Sequence, residues 1–116
     1  MAVNVSLNTP EVWRSVVTYQ NRKRNPEATW ENKLPPYLDE WDEELHADVR
    51  GPYTDETAAR VQAGRDASER ARAWAWAPGN ERVKTSRVVS VTAERSSLAW
   101  QECGRRDPDT KKWEAV

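Results

Sequence analysis

The stretch Thr54–Ala77, TDETAARVQAGRDASERARAWAWA, constrains the rest of the chain more than any other. It follows Gly51-Pro52-Tyr53, a turn composition, and ends before Pro78-Gly79, which cannot continue a helix. Thr54 suits an N-cap, and Asp55 and Glu56 place negative charge where a helix dipole favours it. Thr57, Val61, Gly64, Ala67 or Ser68, Ala71, and Trp74 or Ala75 recur at three-four spacing, so one face is built mostly of small residues. Small side chains permit close backbone approach. The spacing therefore predicts a helix lying flat on a sheet, with Gly64 and Ala67-Ser68 at the closest contact. Glu56, Gln62, Arg65, Asp66, Glu69, Arg70 and Arg72 are assigned to the solvent face, with Glu56–Arg60 and Arg65–Glu69 one turn apart.

Taken in order, Val3, Val5 and Leu7 alternate with polar residues as a short edge strand would. Thr9-Pro10 then reads as a helix start, with Val12, Trp13, Val16, Val17 and Gln20 as an apolar stripe and a run to Arg24. Segment 26–37 is bounded by prolines and holds Trp30 and Tyr37, which marks a strap or linker inside the domain. From 38 to 50 both periods fit, and the strand reading over Glu43–Arg50 is preferred because the helix needs a sheet. Arg82–Glu94 is rich in β-branched residues, with Val83, Thr85, Val89, Val91 and Ala93 assigned to one face. Leu98–Cys103 returns after Ser96-Ser97, and Lys111–Val116 offers a lysine-guarded edge strand.

The expected fold is a single α+β domain over 1–116. A small antiparallel sheet of three to four strands is covered on one face by the Thr54–Ala77 helix, and a Thr9–Arg24 helix packs beside it. Twelve Val and five Leu, with no Ile and no Phe, give little aliphatic bulk. Seven Trp and three Tyr restore it, since each buried aromatic removes roughly 150–250 Å² from water. A core of valine and tryptophan is expected, with some aromatic surface left over.

Formal net charge is −1, which gives no overall attraction to nucleic acid or an anionic membrane. The lone Cys103 excludes an internal disulfide and favours a reducing compartment. MAVNVSLNTP lacks the basic and apolar regions of a signal peptide, and no run approaches the ~20 apolar residues of a membrane span. A cytoplasmic protein is expected.

Arg50-Gly51-Pro52-Tyr53-Thr54, then Ala58-Ala59-Arg60, then Ala99-Trp100-Gln101-Glu102 form a pattern that resembles small accessory proteins of actinobacteriophages. The resemblance spans Leu45 to Cys103. It implies a viral protein acting in the host cytoplasm and supplies no catalytic residues.

Chemistry-bearing clusters are few. Asp39, Glu40, Asp42, Glu43, Glu44, His46 and Asp48 form an acidic run around the single histidine. Alternate strand residues lie ~6.8 Å apart, too far for four of them to meet at one ion, so a solvated face is expected and no metal. Cys103 reads as a small packed thiol. No P-loop, GxSxG, CxxC pair or HExxH is present, so neither an enzyme nor a cofactor is expected. Two binding readings remain. In the first, exposed aromatics at Trp30, Tyr37 and Trp76 contact a host or virion protein, or a second copy of the chain. In the alternative, the basic segments 22–24 (Arg22, Lys23, Arg24) and 105–112 (with Arg105 and Arg106) contact nucleic acid.

Overall fold

The computed structural model describes residues 11–78, 81–96 and 100–116. Strands β1 (Trp13–Arg24), β2 (Tyr37–Trp41) and β3 (His46–Tyr53) precede helix α1 (Glu56–Ala71). Strands β4 (Trp74–Ala77), β5 (Glu81–Lys84), β6 (Ser86–Ser96), β7 (Trp100–Arg106) and β8 (Trp113–Ala115) follow it. Strand accounts for 53% of the described residues and helix for 16%. The α+β expectation is thereby overturned, because the fold is predominantly β, with one helix among the described residues. Its main sheet is antiparallel with six strands, not three or four. The order is β2-β1-β6-β7-β8, and β3 shares the β2 edge of β1. The expected Val3–Leu7 strand and the Ser97 turn lie outside the described residues.

The largest correction concerns β1. The stretch expected as an N-terminal helix is the central strand, paired with β3 through Trp13–Tyr19 and with β6 through Trp13–Asn21. Val16-Val17-Thr18-Tyr19 is β-branched and aromatic, which suits a pleated surface flanked on both sides. Ser15, Val17 and Tyr19 are buried at period two, whereas Val16 and Thr18 point to the opposite face. Adjacent valines satisfy a helical stripe and a two-sided strand equally well, and the pairing partners of Val16–Tyr19 that decide between them are 27 to 76 residues away.

The second correction is a bulge in β6. Thr18 pairs with Ser90 while the next residue, Tyr19, pairs with Val88, leaving Val89 as the extra residue. The inward set therefore changes parity. Val91 and Ala93 face the core on one side of the bulge, Val88 packs against it on the other, and Val89 is turned out. The reading that kept Val89, Val91 and Ala93 on one face fails at this residue. The strand also begins at Ser86, not Arg82, and residues 81–84 form the separate β5.

The third correction is the register of α1. Asp55, not Thr54, is the N-cap, its side chain accepting from the Ala58 amide at 2.7 Å. The helix ends at Ala71. Trp74–Ala77 leaves it and pairs with Glu81–Lys84 in a two-stranded ribbon. The buried residues are Ala59, Ala63, Asp66 and Ala67, so the helix is rotated relative to the stripe read from Thr57, Val61 and Gly64. The small-residue principle holds, with Ala67 at the contact as expected and Ala63 in place of Gly64: both meet Val17 and Val91. No Trp is fully buried; the core is of valine and alanine with Tyr19, and of the tryptophans Trp113 packs against it, partly buried.

Two of the assigned solvent-face residues turn inward and fasten α1 to β3. Arg50 Nε donates to Asp66 Oδ2 at 3.1 Å, and Gln62 Nε2 donates to Asp66 Oδ1 at 3.0 Å. Arg70 holds Asp48 with two hydrogen bonds of 2.8 and 2.9 Å, which lower the Asp48 carboxyl below its usual range. The same guanidinium lies 3.9 Å from the centre of the Tyr19 ring. Asp66 is buried with both carboxylate oxygens occupied, so its charge is compensated.

Candidate functional site

The strap between β1 and β2 is a loop held by two asparagines. Asn25 accepts from the Glu27 amide at 3.0 Å and donates to Pro35 O at 3.0 Å. Asn32 accepts from the amides of Thr29 and Leu34 at 2.9 and 3.1 Å and donates to Glu27 O at 2.6 Å. The Asn25 amide closes the base on Pro36 O at 2.9 Å. Local side chains thus satisfy much of the backbone where no ladder is available. Trp30 stands on this fixed loop with 96% of its surface exposed.

Opposite it is the β4–β5 ribbon. Its base is tied down by Thr85 N to Ala73 O at 3.0 Å, Arg22 N to Thr85 O at 2.9 Å, and Lys84 Nζ donating to Ala71 O. Trp74 pairs with Lys84 and Trp76 with Arg82, so these four side chains share one face of the ribbon. Trp76 meets Trp74 edge-to-face at 4.9 Å and is 59% exposed. Between ribbon and strap lies a cleft of about 650 Å³, lined chiefly by Trp30, Leu34, Pro36, Trp76 and Pro78. Two of the three aromatics singled out from sequence, Trp30 and Trp76, are therefore brought together. Tyr37 is not part of this wall; it lies beneath Arg24, whose Cζ is 5.6 Å from its ring centre.

The basic segments are not brought to one patch. Arg106 pairs with Val91, and Val91 with Val17. Val17 is five residues from Arg22 along β1, about 17 Å at the usual strand rise. Most of these cations are also engaged. Arg22 donates to Lys84 O at 2.7 Å and Asp39 Oδ1 at 2.8 Å and stacks 4.5 Å over Trp41. Lys23 pairs with Glu40 at 3.3 Å, Arg105 with Glu102 at 2.7 Å, and Arg106 donates to Lys111 O at 3.3 Å. Arg22 is a knot joining β1, β2 and β5.

The acidic run is divided between β2, the turn after it and β3. Asp48 is taken by Arg70, and His46 stacks on Tyr19 at 5.5 Å. Among the described residues no three His, Cys, Asp or Glu side chains gather as metal ligands. Cys103 is half-buried against Ala93 O, and burial, reinforced by Glu56, pushes its thiol up to about 11. At neutral pH it is a thiol with little nucleophilic character. No helix among the described residues is long and apolar enough to cross a membrane.

Sequence reasoning missed Leu34, Pro36 and Pro78 as parts of the wall, and Trp74, Arg82 and Lys84 as its neighbours. The usable signal was the period of two in Trp74-Ala75-Trp76-Ala77 and Arg82-Val83-Lys84, which reads as a ribbon once the helix is stopped at Ala71. A comparison with known proteins finds no family model, no curated protein and no solved structure that matches the chain.

Proposed function

We propose that this protein is a non-enzymatic binding protein that engages a partner protein in the cleft between Trp30 and Trp76. One observation carries the reading. An indole that is 96% exposed contributes nothing by burial to the stability of the free chain, yet its loop is fixed in place by Asn25 and Asn32. A pre-positioned aromatic beside a second exposed indole and apolar Leu34, Pro36 and Pro78 has the composition of an interface anchor. Such anchors commonly contribute ~2 kcal/mol or more when covered. Fixing the loop beforehand lowers the ordering cost of association. The resemblance of Leu45–Cys103 to accessory proteins of actinobacteriophages makes a host or virion protein the partner in view.

The test compares proteins captured by the wild type and by a Trp30→Ala/Trp76→Ala variant, at low and high salt and with nuclease. The expected result is a salt-tolerant partner lost from the double variant. Equal capture by both overturns the proposal. So does capture that vanishes with nuclease and salt, which would instead favour nucleic-acid contact through 22–24 and 105–112. Sedimentation of the purified protein separates a heterologous partner from a second copy of the chain.

A further inference from the structure

The ribbon face that supplies Trp76 to the cleft continues into a second depression of about 430 Å³ lined by Arg72, Trp74, Arg82 and Lys84. Its charge is one-sided. Three cations line it and no carboxylate does, and among the described residues none of the three forms an ion pair. This contrasts with Arg22, Lys23, Arg70 and Arg105, all of which are neutralised by a carboxylate. Glu81, the acid nearest in sequence on β5, pairs with Ala77 and so belongs to the other face of the ribbon.

Each cation keeps donors to offer. The Arg82 guanidinium lies over Trp74, its Cζ 4.0 Å from the ring centre. Cation–π attraction uses none of the N–H donors of a guanidinium, and those donors can grip a carboxylate bidentately. Lys84 uses one of its three N–H donors on Ala71 O. Arg72 caps the C-terminus of α1 through its backbone, and its side chain remains exposed.

We infer that the occupant of the Trp30–Trp76 cleft is an acidic segment of a partner protein. Its apolar side chain sits between the two indoles and its carboxylates lie on Arg72, Arg82 and Lys84. This rests on reading the cleft as a protein-binding surface. Spacing supports it: Trp76 touches Trp74, Trp74 carries Arg82, and Trp76 and Arg82 are cross-strand partners. An extended chain rising ~3.3 Å per residue therefore reaches from anchor to cation within about three residues. The aliphatic part of the wall, Leu34, Pro36 and Pro78, suits a peptide side chain better than a nucleobase, which needs an aromatic face.

Selection of displayed random dodecapeptides on the intact protein tests this without a known partner. The enriched sequences are then titrated by fluorescence anisotropy against wild type, Arg72→Glu/Arg82→Glu and Trp30→Ala/Trp76→Ala. All four positions are exposed, and a thermal melt of each variant verifies folding. The expected peptides carry an apolar anchor with Asp or Glu within about three residues, and they weaken at least about tenfold with either double variant. Enriched peptides without acids, insensitive to charge reversal but lost with the tryptophans, would overturn this inference and leave the cleft reading standing. No peptide dependent on Trp30 and Trp76 would overturn both. An oligo-dT strand binding more tightly than any selected peptide, and lost on charge reversal, would replace the acidic peptide with single-stranded nucleic acid.

Discussion

The two ends of this molecule treat apolar residues in opposite ways. Under α1, the sheet is closed by some of the smallest side chains available, Ala59, Ala63, Ala67 and Ala93, around Val17 and Val91. At the strap and ribbon, the largest side chains, Trp30, Trp74 and Trp76, are left in water. If apolar size alone set burial, the tryptophans would be inside. Close approach of helix and sheet gives alanine and valine a place that an indole cannot enter without pushing the layers apart. Among the described residues the strap and ribbon have no second layer above them, so their aromatics stay exposed. The covered half holds the buried core, and the open one is where the proposed binding surface lies.

Val17→Ala should break the covered half most severely. Val17 is fully buried between α1 and β6, and a cavity there costs about 2–3 kcal/mol, read as a lowered denaturant midpoint. Next comes Gly51→Ala, at the edge of the same half. Gly51 has φ 147°, and a Cβ there would lie 3.0 Å from Trp13 O and 3.1 Å from Arg14 Cβ. Both the backbone angle and the contact oppose a side chain, so a loss of about 1–3 kcal/mol is expected in the same measurement.

Asp48→Asn should cost less, about 1–2 kcal/mol, because the Arg70 pair is only partly enclosed. The wild type should show the same contact through pH. The folded-state carboxyl is depressed by Arg70, so its contribution is complete above the unfolded-state value and is lost as pH falls through the folded-state value. Acid titration of stability should therefore be shallower in Asp48→Asn than in wild type; parallel curves would remove this pair from the account.

Gly64→Ala changes sign. A Cβ at Gly64 would come no closer than 3.5 Å, to Arg106 Nη1, and a helical alanine gains about 0.5–1 kcal/mol over glycine. Destabilisation would put Gly64 back against the sheet, where its place in the sequence stripe suggested. The smallest stability effect belongs to one of the largest side chains. Trp30→Ala should leave the midpoint within about 0.5 kcal/mol while reducing partner binding, and a large loss of stability would show that the strap is part of the core.

The sequence by itself determined that a helix follows Gly51-Pro52-Tyr53, because capping carboxylates, strong helix formers and small residues agree there, but it carried that helix from Thr54 to Ala77 where the structure holds it to Glu56–Ala71. It determined strand character in β6 through β-branched content and alternation, left 38–50 open to both periods, and offered Trp30 and Trp76 as candidate exposed aromatics. The tertiary structure decided the rest. Whether Val16-Val17-Thr18-Tyr19 is helix or strand depends on β3 and β6 arriving on either side to accept its backbone groups. Which face of α1 is inward depends on Asp48 and Arg50 being present on β3 to receive Arg70 and Asp66. The parity of β6 turns on one extra residue, Val89, whose insertion no local period announces. Trp30 and Trp76 share a cleft only because the strap and ribbon are both tied to Arg22, through β2 on one side and through Thr85 and Lys84 on the other. Local periodicity records what a segment tolerates; the partners that satisfy its backbone and charges are distant in sequence, and they choose among the tolerated states.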